Sequence, residues 1–172
     1  NCAQEALSKI NDPLMSRDIE WHFIGAIQSN KTKLIALNFD WVQSVDRFSI
    51  AAHLNRHAAD ANKTLNICIC VNVDGEQQKS GVAPDAAYAL AQQIQSLSHI
   101  HLRGLMVIPE PRKQHQDQLA VFAEVKKLFD DLNAQGLALD TLSMGMSADY
   151  QAAIEAGSTM VRMGTALFGA RQ

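Results

Sequence analysis

Leu142-Ser143-Met144-Gly145-Met146-Ser147-Ala148-Asp149 reads as a strand that runs into a glycine turn, with Ser147 placed as the N-cap of the helix that follows. One unit later, Met160-Val161-Arg162-Met163-Gly164-Thr165 repeats the plan: a short strand, a second glycine turn and a second hydroxyl at the start of the terminal helix. Unpaired backbone N–H groups and the positive end of the helix dipole collect at a helix N-terminus. Two such termini side by side suit one dianionic phosphate. Taken singly, Gly145-Met146-Ser147 is an ordinary capped helix start and Gly164-Thr165-Ala166 a tight packing turn. On the last two strands of a chain, the pair matches the place where (β/α) barrels hold phosphate.

Upstream, short runs rich in β-branched and aromatic residues alternate with segments of helical period, the mark of a parallel sheet covered by helices. Strands are expected at 21–27, 41–46, 65–73, 102–109, 139–145 and 159–164. Ala87, Leu90, Ala91, Ile94 and Leu97 share one face of a helix over 84–98, and Leu119, Phe122, Val125, Leu128, Phe129 and Leu132 one face of a helix over 114–135. Pro84 near the first start and Gly136 past the second end fit the usual boundary residues. The fold class expected is α/β, a (β/α) barrel with six strand units present. A closed barrel takes eight strands and typically about 250 residues, and the opening stretch 2–10 already reads as helix, so the first two units are expected to be missing. An open, doubly wound six-strand sheet is the alternative. The barrel is preferred because the chain has no glycine-rich dinucleotide fingerprint and ends on the phosphate pattern. With no linker, low-complexity tract or charge block, residues 1–172 are expected to form a single domain.

Composition narrows the function. With 47% hydrophobic and 19% charged residues the chain can bury a sizeable core. A net charge of −3, from 15 Lys+Arg against 18 Asp+Glu, offers no field for nucleic acid or anionic lipid. No apolar run approaches the roughly 20 residues of a membrane helix, and the opening has no signal-peptide layout. The expectation is a cytoplasmic protein with neither nucleic acid nor membrane as partner.

Other candidates read plainly. Cys68 and Cys70 lie on one face of a strand, where they cannot easily bridge, and act as small buried apolar residues; no metal site is expected. His53 and His57, one helical turn apart, read as a solvated face, and His22, between Trp21 and Phe23, as a hydrogen-bonded barrel histidine. Lys31 and Lys33 belong to the surface. Lys79 also reads as a surface lysine, with ligand contact the alternative because its loop follows a strand on the face where barrel sites form. Asp46, the one acid or base at a strand end, precedes Arg47 and reads as a local ion pair.

Several motifs, in order, carry a specific resemblance: Trp21-His22-Phe23-Ile24-Gly25-Ala26-Ile27-Gln28-Ser29-Asn30-Lys31, Lys79-Ser80-Gly81, Arg103-Gly104-Leu105-Met106, Gly145-Met146-Ser147, and the run 157–171 from Gly157 through Arg162-Met163-Gly164-Thr165 to Arg171. They resemble the pyridoxal phosphate homeostasis proteins of the YggS/PROSC type over essentially the whole chain. The resemblance implies the barrel of the alanine racemase N-terminal domain, a pyridoxal 5'-phosphate cofactor and no established turnover. It implies that Ser147, Gly164 and Thr165, with the Met146 region, grip the phosphate, and that Arg162 faces the pyridine nitrogen. Asn1-Cys2-Ala3-Gln4-Glu5 resembles the family's Gly-Glu-Asn-Tyr-Val-Gln-Glu segment from its Asn onward, which adds Asn1 to the cofactor set. The family's Schiff-base lysine stands on the first barrel strand, ahead of Asn1, so covalent attachment is not expected in these 172 residues.

Arginine suits the ring nitrogen, because a guanidinium only donates and cannot be deprotonated, which stabilises the unprotonated pyridine. A racemase needs a base on each face of its cofactor. Where alanine racemases carry a histidine, this chain reads Met106-Val107-Ile108-Pro109. The expected function is therefore a binding protein for pyridoxal phosphate homeostasis, with cofactor-dependent apoenzymes as possible partners. The alternatives are a barrel enzyme acting on a phosphorylated metabolite through Asp46, or a racemase-like enzyme.

Overall fold

The computed structural model describes residues 3–12, 18–76 and 78–169. Its elements follow one another as α1 (Ala3–Ile10), β1 (His22–Phe23), α2 (Thr32–Asn38), β2 (Trp41–Val45), α3 (Phe48–Asp60), β3 (Leu65–Cys70), α4 (Ala87–Ile94), β4 (Ile100–Met106), α5 (His115–Ala134), β5 (Thr141–Met146), α6 (Tyr150–Glu155), β6 (Met160–Arg162) and α7 (Thr165–Phe168). All pairings are parallel, and the strand order in space is the order in sequence, β1-β2-β3-β4-β5-β6. A doubly wound sheet reverses its order at a switch point. This one does not, so the barrel-type winding expected from the phosphate pattern is the one found.

Period-two alternation assigns the two faces of the sheet. Ile67, Ile69, Leu105 and Leu142 point to the helices, where they pack in one core with Ile35, Ile50, Leu54, Ile94, Phe122 and Leu132. Cys68, Cys70 and Met106 point the other way and form a smaller cluster with Trp41 on the inner face, with Met160 packed against it. Burial on this scale supplies most of the driving force for folding, at about 25 cal/mol per Å² of apolar surface removed from water.

Strand β2 breaks the alternation. The ladder to β3 shifts between Val42 and Val45, so Val42 and Val45 both reach the helix-side core. The same shift turns Ser44 toward the inner face, where it lines a cavity and donates its hydroxyl to Gly25 O at 2.6 Å. Strand β1 is far shorter than the expected 21–27, because only His22 and Phe23 meet Trp41 and Val42 in the ladder. β3 ends at Cys70, after which Val71 bridges Val82 and closes the loop between them. β4 starts earlier than expected, at Ile100, and ends at Met106. His53 and His57 depart from the expected solvated face: both rings are partly buried, and their Nδ1 atoms are shut from water.

Candidate functional site

Strand β5 ends in a turn that only glycine permits. Gly145 has φ +93°, and a Cβ there would stand 2.5 Å from the Ala153 Cβ of α6 and 3.1 Å from Tyr150 Cα. The chain then closes a turn over 146–149: Met146 N–H donates to Asp149 Oδ1 at 2.6 Å, and Asp149 N–H returns to Met146 O at 3.0 Å. This turn corrects the expectation for Ser147. The N-cap of α6 is Asp149, and half-buried Ser147 sits two residues ahead of it, because the turn uses the residues that would have opened the helix. On the next strand, Gly164 is the N-cap of α7 and Thr165 its first residue, both exposed. Met146 and Arg162 are register partners, so Met146, Ser147, Gly164 and Thr165 lie together at the C-terminal ends of β5 and β6. Asn1 lies outside the described residues.

Arg162 is turned inward. Its Nη1 donates to Ser143 Oγ at 2.7 Å and its Nη2 to Val107 O at 2.8 Å, while its Nε is buried without a hydrogen-bond partner. Ser143 Oγ in turn donates to Gln43 Oε1 at 2.6 Å. Gln43 Nε2 lies 2.8 Å from His22 Nδ1 and 3.2 Å from Met160 Sδ. Ser143 and Gln43 are almost wholly buried, at 0% and 1% exposure, so these bonds stand in for water that cannot reach them. Burial lowers the pKa of Arg162, yet a guanidinium keeps its charge at any ordinary pH.

Below this line of polar groups, Trp41 is sandwiched. His22 stacks on one face at 5.1 Å between ring centroids, and the Arg103 guanidinium lies 4.7 Å over the ring. Trp41 Nε1 donates to Glu20 Oε1 at 2.9 Å. Arg103 is anchored by Asp140, with Nε 2.9 Å from both carboxylate oxygens, and by Asn66. Burial holds the His22 pKa below its ordinary value against the pull of Glu20 and Asp40. Burial likewise pushes the Cys68 thiol up to about 12 and that of Cys70 to about 11, so neither is a thiolate at neutral pH.

Above the line opens a cavity lined by Ile24, Ser44, Cys70, Asn72, Lys79 and Met106. Lys79 reaches it from the loop between Val71 and Val82, half-exposed and ion-paired with Glu76. Asp46 is bound by Arg47 Nη1 at 2.6 Å, the local pair the sequence suggested. Three contributors carry weaker sequence signals. Gln43 and Ser143 show only as polar residues at inward positions of otherwise apolar strands, and Asp149 as a carboxylate three residues after Met146.

Among the described residues, no helix is long and apolar enough to cross a membrane. The profile of the alanine racemase N-terminal domain matches residues 3–172. The pyridoxal phosphate homeostasis protein of Pseudomonas aeruginosa is 53% identical over 171 residues, 99% of this chain and 73% of the relative. That of Escherichia coli K12 is 43% identical over 173 residues, 99% of this chain and 74% of the relative. Among solved structures, PipY of Synechococcus elongatus, with pyridoxal phosphate bound, superposes with a TM-score of 0.90 at 34% identity, covering 98% of this chain and 79% of that one. An alanine racemase of Clostridium difficile superposes with a TM-score of 0.77 at 15% identity, over 98% of this chain and 43% of that one, a likeness of fold.

Proposed function

The chain belongs to the family of pyridoxal phosphate homeostasis proteins, built on the alanine racemase N-terminal domain, and from that premise we propose that it is a cytoplasmic, single-domain holder of pyridoxal 5'-phosphate without turnover of its own. The observation that carries the reading is the orphaned Nε of Arg162. A buried donor without a partner costs about 1–3 kcal/mol, and an acceptor ring nitrogen placed against it removes that cost. The residues present thus fit the cofactor. When bound, pyridoxal phosphate supplies an aldehyde that condenses with amines, conjugated to a pyridine ring that draws off electrons.

The chain's own residues divide the ligand between them. Arg162 faces the ring nitrogen and, as a pure donor, keeps it unprotonated. Ser147, Gly164 and Thr165 hold the phosphate at the ends of β5 and β6 through N–H groups and hydroxyls, with Met146 beside them and its own N–H taken by Asp149 Oδ1. Asn1 completes the set by family resemblance. Turnover would need an acid or base poised over the ligand. Near the site, the Cys70 thiol is held protonated and His22 is stacked on Trp41, while Asp46 is taken by Arg47, which weighs against the phosphometabolite enzyme. Partners able to receive the cofactor are apoenzymes that use it.

The chain spans about three quarters of the length of its curated relatives, and six parallel strands wound in sequence order are two short of a closed barrel. We read the sheet as the larger part of an eight-strand barrel whose first two units, with the attachment lysine, are not represented in residues 1–172. Titration with pyridoxal phosphate, followed by its absorbance, tests the function. A saturable spectral change that sugar phosphates do not displace at equal concentration supports it. Turnover of a sugar phosphate, with no perturbation of the chromophore, overturns it.

A further inference from the structure

Arg162 only donates, so Ser143 Oγ accepts from it and must send its own proton onward to Gln43 Oε1. That bond fixes which end of the Gln43 amide faces Ser143, and leaves the NH₂ end against His22 Nδ1. Nδ1 must then be the unprotonated nitrogen, and the ring proton sits on Nε2, facing Glu20 Oε2 at 3.8 Å. Every hydrogen bond from β6 through β5 and β2 to β1 points the same way. Such a line has one satisfied arrangement, and reversing any member leaves a buried donor or acceptor unpaired.

We propose that Ser143, Gln43 and His22 are positioning residues for Arg162: a one-way relay across the inner face that holds the guanidinium in place for its ligand and is locked by a neutral His22 protonated on Nε2. The relay rests on the placement of the ligand ring at Arg162 argued above, but its internal logic needs no ligand. Ser143 and Val107 O take one donor from each Nη, which leaves Nε as the buried donor with nothing to bind. Stacking on Trp41 holds the plane of the His22 ring and the Gln43 contact holds Nδ1 inward, while Glu20, Asp40 and, beyond Trp41, Arg103 are the charged groups around it. Burial favours the neutral ring that the relay requires. Acid that protonates Nδ1 would force the Gln43 amide to flip and would strand the Ser143 proton.

The test reads His22 from a distance. In the 172-residue chain without ligand, ¹H–¹⁵N correlation spectra of the imidazole should show a single tautomer with the proton on Nε2. Ser143→Ala touches neither ring nor amide end at His22, yet it frees the Gln43 amide to turn. It should populate the Nδ1-protonated tautomer, and Ser143→Thr should restore the parent spectrum. In parallel, Ser143→Ala and Gln43→Leu should each weaken pyridoxal phosphate binding by about tenfold, one hydrogen bond's worth. Neither should add its full loss to that of Arg162→Met, because the three act as one unit. Should Gln43→Leu fail to fold, Gln43→Glu keeps the shape but lacks the amide donor, and His22 should then hold a proton on Nδ1 to a higher pH. An unchanged His22 tautomer in Ser143→Ala, or losses fully additive with Arg162→Met, overturns the relay. If the parent chain binds no pyridoxal phosphate, the ligand reading falls. The tautomer response then decides the relay alone: a shift supports it, and no shift overturns it.

Discussion

Met146 and Arg162 stand opposite each other in the ladder between β5 and β6, so the turn that leaves one strand and the guanidinium that ends the other share a single rim. Half-buried Ser147 and exposed Gly164 and Thr165 stand outside the strand ends, where we place the phosphate. The guanidinium points back into the inner face, where Ser143 and Val107 O hold it.

Replacing Arg162 by methionine is expected to weaken pyridoxal phosphate binding by about 1–3 kcal/mol, the range for a charge-assisted hydrogen bond. Arg162→Lys should recover little of it, since an ammonium cannot reach Ser143 and Val107 O and still present a planar Nε–H. Equilibrium titration of both variants checks this, with their unfolding transitions recorded alongside. Parent-like affinity in Arg162→Met removes Arg162 from the site.

Gly145→Ala should cost stability on the order of 1–3 kcal/mol and damage anion binding at the same time. The residue needs φ +93°, which an alanine rarely adopts, and the new methyl would meet Ala153 at 2.5 Å. Gly164→Ala should be far milder, because a Cβ there meets nothing within 4 Å and φ is −117°. Urea unfolding of the two variants separates the cases, and equal losses would contradict the geometry.

Sulfate and inorganic phosphate should compete with pyridoxal phosphate, since any tetrahedral dianion suits converging N–H groups. Asp149 works against them, because its carboxylate occupies the Met146 N–H and carries the wrong sign. Asp149→Asn keeps an acceptor for that N–H and removes the charge. It should tighten phosphate binding by roughly two- to fivefold, the scale of a partly exposed charge interaction. Titration calorimetry at low ionic strength gives the answer, and weaker binding in the variant would place the anion elsewhere.

Strand count and parallel winding were legible because each buried parallel strand is a short apolar run between helical periods. Local closure was less so. The single displaced residue that turns Ser44 inward, and the turn that moves the N-cap of α6 from Ser147 to Asp149, depend on hydrogen bonds rather than on pattern. The Arg47 partner of Asp46 was readable because it is adjacent. The Gln43 partner of Ser143 was not, because the two lie 100 residues apart and meet only once β2 and β5 face each other across the inner face. A lone glutamine in an apolar strand announces that a partner exists, not which one.

Asp74, in the loop after β3, accepts from Arg112 Nη2 at 2.5 Å and from Glu110 N–H at 2.6 Å, while Arg112 Nη1 donates to Glu110 O at 3.0 Å. This clamp ties the loop that carries Lys79 to the loop that follows β4. Burial alone would raise the pKa of Asp74, whose side chain is 9% exposed; the bonds from Arg112 and the Glu110 N–H outweigh burial and hold it below the usual carboxylate range. A carboxyl with a folded-state pKa below its unfolded value of about 3.9 binds more protons when unfolded. Its contribution is therefore present in full above that value and is lost as pH falls through the folded pKa. Asp140, held low by Arg103, titrates in the same acid window, so the pH profile of the parent sums at least two groups. The difference between Asp74→Asn and the parent isolates one. The variant should be less stable by about 1–3 kcal/mol at pH 7, and the gap should narrow as the solution is taken below pH 4, because the parent loses there what the variant never had. Urea unfolding at several pH values from 3 to 7 measures it. A gap that stays constant across that range would show that Asp74 stabilises the loops by shape and not by charge.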